Sequence, residues 1–354
     1  MGKCVAYVGT YTHGNVVGIH VYDVDPGKGV LSERSVAEIN NPSYLCTSKD
    51  KKYLYSIADE GVAAFSIDAN GDLTKINQEG IGGMRGCFVD VDSKRRYLFV
   101  GGFHDGRVTM MRLNEDGSIR GIADGIFHQG VAFTQSERRI DHPMVSCVKL
   151  TPDERYLCAV DHGLNQVKVY ELDYEAGKMH LKNIIRCMLS AGPRSIRFAK
   201  DGRVCYIVDE MSNYIEVYSY HYDEKNDEPV FNRLQRIATL DRNYNMVCES
   251  SCICLSNDDQ YVYVSIDGFN GFSVFRRDTA TGMLAFEQIV KCSGDFPKSI
   301  STLPGDEYVA VLNHDTNEIR TFQMIHDKER PYALMKCAPV KVVTPNCIRI
   351  LELP

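Results

Sequence analysis

Several short patterns place charged side chains where they could act on an anionic or carbonyl-bearing molecule. Arg194 follows Gly192 and Pro193. A guanidinium presented from such a turn can grip a carboxylate, a phosphate or a developing oxyanion through paired N–H donors. Lys298, in Phe296-Pro297-Lys298, fills the equivalent slot and offers a second cation. Glu210 and Glu60 each close an Asp-Glu pair, and acids at matching places could converge so that one acts as a general base. The run Arg138-Arg139-Ile140-Asp141-His142-Pro143 joins two guanidiniums that could hold a phosphate to a histidine, the side chain type suited to proton transfer near neutral pH. His104, Asp105, Asp161, His162, Asn313 and His314 end strand-like segments at comparable places. Each has a plainer alternative. Arg194 fits a structural salt bridge, the acids fit solvated turns or hydrogen bonds to backbone N–H groups, and His142 fits an ordinary surface loop.

Other chemistries leave no trace. There is no G-x-S-x-G elbow, no phosphate-binding P-loop, no H-E-x-x-H and no G-x-G-x-x-G opening a helix; residues 80–86 are only a glycine-rich loop. No cofactor and no metal are expected. The thirteen cysteines are scattered, and many lie inside apolar strand-like runs. Cys248, Cys252 and Cys254 lack zinc-site spacing, and the last two alternate with neighbours as strand residues on one face would, so core packing is the expectation. A net charge of −7 with no Lys/Arg-rich run argues against nucleic acid as a partner. No stretch approaches the roughly 20 apolar residues of a membrane span. Gly9, Thr10, Thr12 and His13 interrupt the apolar start, so no secretory leader is expected and the cytoplasm is the expected compartment.

The elements that must position these residues come from a repeat. Segments beginning at Val5, Tyr53, Tyr97, Tyr156, Val204, Tyr261 and Tyr308 read alike, 44 to 59 residues apart. Each follows an Asp-rich turn or opens the chain, and each precedes an alternating apolar–polar segment such as GIHVYDVD, QVKVYELD or GFSVFRRD. Seven such units predict an all-β, seven-bladed β-propeller with four-stranded blades, forming a single domain over residues 1–354. The first unit opens on a second strand, while Asn346–Leu353 is an isolated strand at the other end. The last strand is therefore expected to join the N-terminal blade and close the ring.

These residues resemble a known family, the lactonase family of seven-bladed propellers, typified by cycloisomerase-like 6-phosphogluconolactonases. The resemblance rests on Tyr7-Val8-Gly9-Thr10-Tyr11-Thr12 with Gly18-Ile19, Asn41-Pro42-Ser43-Tyr44-Leu45, Asp59-Glu60, Asp161-His162-Gly163, Ala191-Gly192-Pro193-Arg194 and Asp209-Glu210. It implies hydrolysis of a sugar lactone, such as 6-phosphogluconolactone, by base-activated water. Glu210, His142 and Arg194 would be catalytic, and Lys298, Glu60, Arg138, Asp161, His162 and Asn313 would bind a sugar lactone or sugar acid. The chain departs from the family pattern at Ser146, Ser195 and Phe88, where the family commonly has histidines, at Cys252, where it has a glutamate, and at Ser265-Ile266-Asp267. Two alternatives follow: a propeller that binds a ligand or protein without catalysis, and an isomerase that closes a muconate-type lactone.

Overall fold

The computed structural model describes residues 2–12, 18–59, 61–130, 142–240, 244, 246–327 and 329–353, with backbone alone at Cys337. Among the described residues there is no helix, and the strands form seven four-stranded sheets. The fold is the seven-bladed β-propeller that the repeat predicts.

The chain gathers into two compact units, Met1–Leu45 with Ile67–Thr74 and Ile237–Pro354, and Cys46–Ser66 with Lys75–Arg236. The first unit holds blade 1 (Pro345–Glu352, Cys4–Thr10, Ile19–Asp25, Val30–Ala37), blade 6 (Glu249–Leu255, Tyr261–Asp267, Gly271–Arg277, Leu284–Lys291) and blade 7 (Pro297–Thr302, Tyr308–Asn313, Glu318–Ile325, Tyr332–Lys341). In blade 1 the last strand pairs antiparallel with Cys4–Thr10, so the two ends of the chain share one sheet, as expected. The second unit holds blade 3 (Phe88–Val91, Tyr97–Gly102, Arg107–Leu113, Ile119–Phe127), blade 4 (Val145–Leu150, Tyr156–Asp161, Gln166–Asp173, Lys178–Arg186) and most of blade 5 (Pro193–Phe198, Val204–Asp209, Tyr214–Asp223, Glu228–Ala238). Blade 2 (Leu45–Thr47, Tyr53–Ala58, Gly61–Ile67, Leu73–Glu79) contributes to both.

The second strand of each blade is the most apolar because both its faces are covered. Tyr156–Asp161, Val204–Asp209 and Tyr308–Asn313 are buried at every residue. Fourth strands such as Leu73–Glu79 are polar and only partly buried.

Two recurring backbone features aim side chains. In blades 1, 4, 5, 6 and 7 the first strand carries a β-bulge near its start, an extra residue that leaves the ladder and re-aims its side chain. The register skips Ser146 in blade 4 and Arg194 in blade 5, and in the first unit it skips Ser251, Lys298 and Asn346. The second feature is the turn after the second strand. It ends on a left-handed asparagine at Asn165, Asn213 and Asn317, a conformation that asparagine tolerates better than most residues. The first residue of that turn is His162 in blade 4, Glu210 in blade 5 and His314 in blade 7.

Candidate functional site

In the second unit these two features converge on an ion cluster. Arg194, at the blade 5 bulge, bonds Oε1 of Glu210 through its guanidinium. Nε2 of His162, from blade 4, lies 2.9 Å from Oε2 of the same carboxylate. The Glu210 side chain is 11% exposed and that of His162 6%. Burial alone would push the Glu210 carboxyl up. The Arg194 guanidinium, and then His162, outweigh it and hold the group at about 2. Glu210 is therefore an ionised acceptor, and Nε2 of His162 must carry the proton between them. Arg194 is the more open member of the cluster, with 28% of its side chain exposed.

The surrounding backbone is tied to this cluster. The N–H of Glu210 donates to the carbonyl of Gly192 at 2.8 Å. The N–H of Gly192 donates to Oδ1 of Asn165 at 2.9 Å, joining the Arg194 loop to the turn that bears His162. Gly192 has φ +60, and a Cβ there would lie 2.9 Å from Nε2 of His162 and 2.7 Å from Cγ of Met211. Only glycine combines that backbone with that approach. The Ser146 hydroxyl donates to the carbonyl of Arg194 at 2.7 Å, bulge to bulge. On the far side of the His162 turn, Asp161 is fully buried. Its Oδ1 accepts from the N–H groups of Met144 and Leu164, and its Oδ2 meets Nδ1 of His128 at 2.6 Å. Burial holds His128 below the ordinary histidine range although Asp161 pulls the other way.

The first unit carries a second cluster at the same two positions. Nζ of Lys298 lies 4.7 Å from the centre of the Tyr11 ring and 5.3 Å from that of Phe296. His314 meets both rings edge-on, at 5.8 and 5.4 Å. Nδ1 of His314 faces the carbonyl of Pro345 at 3.3 Å.

The chain matches the family described as "Lactonase, 7-bladed beta-propeller" over residues 5–350. It belongs to the lactonase family. A curated relative, the 6-phosphogluconolactonase of Bacillus subtilis, is 30% identical over 99% of both chains. An uncharacterized protein of Lactococcus lactis is 30% identical over 89% of this chain and 90% of its own. Among solved structures, a periplasmic gluconolactonase of Pseudomonas aeruginosa is 25% identical with a TM-score of 0.90, covering 99% of this chain and 100% of that one.

Within this lactonase-family chain the predicted residues fall in different places. Arg194, Glu210 and His162 come together. Glu210 has both oxygens engaged, which is not the setting of a base. His142 is exposed just ahead of the blade 4 bulge. Lys298 lies in the aromatic cluster. Asp161 and Asn313 have no exposed surface; Asp161 pins its turn, and Nδ2 of Asn313 is 3.4 Å from the carbonyl of Cys292. His104 is exposed, and Asp105 accepts the N–H of Met84. Glu60 and Arg138 lie outside the described residues. Cys252 and Cys254 pack against the apolar core around Tyr263 and Phe272. Among the described residues, no group of three His, Cys, Asp or Glu side chains is placed to hold a metal, and no helix is long and apolar enough to cross a membrane. Sequence reasoning missed Ser146 as a brace for Arg194, and it missed Tyr11, Phe296 and Asn346. The turn position shared between blades was the signal for Tyr11, whereas Ser146 and Asn346 stand at bulges that leave no local signal and Phe296 lies just ahead of its strand.

Proposed function

We propose that this protein opens a sugar lactone to the sugar acid, with 6-phosphogluconolactone as the first substrate to test. The observation that carries the reading is a half-open Arg194 held in place by a buried, ionised Glu210. Water adds to the lactone carbonyl carbon, the ring C–O bond breaks, and the proton from water ends on the departing alcohol. Negative charge builds on the carbonyl oxygen as water adds. A fixed guanidinium beside that oxygen lowers the barrier, since removing one preorganised donor of this type typically costs about 10²–10³ in rate. Glu210 fixes the guanidinium in this scheme and does not take the proton, because an acid held near 2 is a weak base at neutral pH. Water activation is assigned to His142. The B. subtilis 6-phosphogluconolactonase and the P. aeruginosa gluconolactonase support a lactone as substrate. The described cysteine side chains are free thiols, which fits a reducing cytoplasm.

A second reading is a propeller that binds without catalysis. Specific contacts favour it. The Ser146 hydroxyl is committed to a backbone carbonyl, the Phe88 ring lies 5.5 Å from the Arg197 guanidinium, and Ser195 is buried with no hydrogen-bond partner for its hydroxyl. The muconate-type isomerase stands third. A substrate screen separates them. The protein is offered 6-phosphogluconolactone, gluconolactone and a carboxymuconate, with products identified by NMR and spontaneous hydrolysis subtracted. Catalysed ring opening supports the hydrolase, and catalysed ring closure supports the isomerase. No turnover, with thermal stabilisation by sugar acids, supports the binder.

A further inference from the structure

Next to Pro345, whose carbonyl faces His314 of the aromatic cluster, stands an unusual side chain. Asn346 is 6% exposed, and neither its Nδ2 nor its Oδ1 has a hydrogen-bond partner. Buried carboxamides are nearly always bonded, and leaving one unpaired is destabilising. Asn346 stands at the bulge of its strand, as Lys298 does at the bulge of the first strand of blade 7. Pro297–Thr302 and Pro345–Glu352, both in the first unit, are in contact. The two residues are linked further through His314, which touches Pro345 next to Asn346 and both rings that flank Lys298. The Tyr11 backbone is fixed to the same segment, since Oγ1 of Thr344 donates to the carbonyl of Tyr11 at 2.7 Å.

We propose that Lys298, Asn346 and the rings of Tyr11, Phe296 and His314 form a binding subsite for a hydroxy-carboxylate. An ammonium recognises an oxyanion as a point charge. A carboxamide carries one acceptor and a donor pair, which matches an alcohol that both gives and takes a hydrogen bond. Ring faces and edges beside them suit the C–H groups between a carboxylate and its hydroxyls. Tyr11, Phe296, Lys298 and His314 are half-buried. The inference rests on these residues alone and not on turnover at Arg194.

The test is isothermal titration of the full chain with D-gluconate, with inorganic phosphate and sorbitol as comparisons, in wild type, Lys298→Met and Asn346→Leu. Methionine keeps the packing of the lysine stem without its charge. Gluconate should bind saturably, and each substitution should weaken it at least 10-fold. Asn346→Leu should also melt at or above the wild-type temperature without ligand, because it removes an unpaired amide of similar size. Absence of gluconate binding, wild-type affinity in both variants, or phosphate binding with gluconate silent would overturn the assignment. A lowered melting temperature in Asn346→Leu would overturn it too, by showing that the amide is partnered within the fold. Arg194 and Glu210 are untouched throughout, so failure here leaves the lactone reading standing.

Discussion

Glu210 shows how partners decide the role of a buried acid. Taking a carboxylate out of water costs several kcal/mol, and only well-placed charge repays it. Here Arg194 and His162 repay it, and the folded-state pKa falls to about 2 from the ordinary 4.5 of a free glutamate. A depressed carboxyl contributes stability that is present above its unfolded value and lost as pH falls toward its folded one. Wild type should therefore lose stability between about pH 5 and pH 2 by a margin that Glu210→Gln lacks, as measured by urea midpoints across that range. Equal slopes in both proteins would show that the ion pair is not formed in solution. Arg194 and Glu210 were legible in the sequence because Gly-Pro-Arg and Asp-Glu are local signals. The role of Glu210 was not, since it depends on His162 from the preceding blade. Asp161 was misjudged for the same reason: its partner His128 lies 33 residues away and nothing local announces it.

The turn that delivers Glu210 also buries Asp209, and this element has a pH dependence of opposite sign. Burial, and then the neighbouring Glu216, push the Asp209 carboxyl up to about 8, against Arg236. Glu216 is fully buried and accepts the Tyr218 hydroxyl at 2.6 Å. A raised acid favours the folded state below its unfolded pKa, and that advantage is lost as pH rises through the folded value. Asp209→Asn should leave melting near pH 4 almost unchanged and raise it by about 2 °C at pH 9, a shift readable by circular dichroism. A variant that melts lower at pH 9 would contradict the assignment. The same turn explains Gly192. Gly192→Ala should displace His162 and Met211, lowering both stability and any turnover, whereas substitution at Gly80, where a Cβ would have open space, should not through crowding. Strands and turns were legible from alternation and from Asp/Asn/Gly punctuation. The bulges were not, because a single extra residue in a strand leaves the apolar pattern nearly intact.

At the scale of the whole molecule, closure was the most legible feature, since the missing first strand at one end and the lone strand at the other fit each other. Cys347, Ile348 and Leu351 are buried in that strand, and Leu353 N–H donates to the carbonyl of Lys3 at 2.8 Å. Burying an aliphatic side chain of this size contributes roughly 1.5–3 kcal/mol, and a protein's total stability is only about 5–15 kcal/mol. A chain ending at Thr344 should therefore lose its cooperative melting transition and expose the edge of Cys4–Thr10. A truncated chain that melts like the full one would contradict this. We propose that the intact chain unfolds as one domain, in one calorimetric transition; two separated transitions would show that the two units unfold independently. Function was the least legible level, because a propeller is shared by many activities and the chemistry resides in a few side chains. The most direct test of the central claim is acid release from 6-phosphogluconolactone by wild type, by Arg194→Ala, and by the charge-balanced double variant Arg194→Gln with Glu210→Gln, each confirmed folded. Wild type should turn over clearly, and both variants should lose about 100-fold or more in kcat/KM. Turnover that survives in the folded double variant would contradict it.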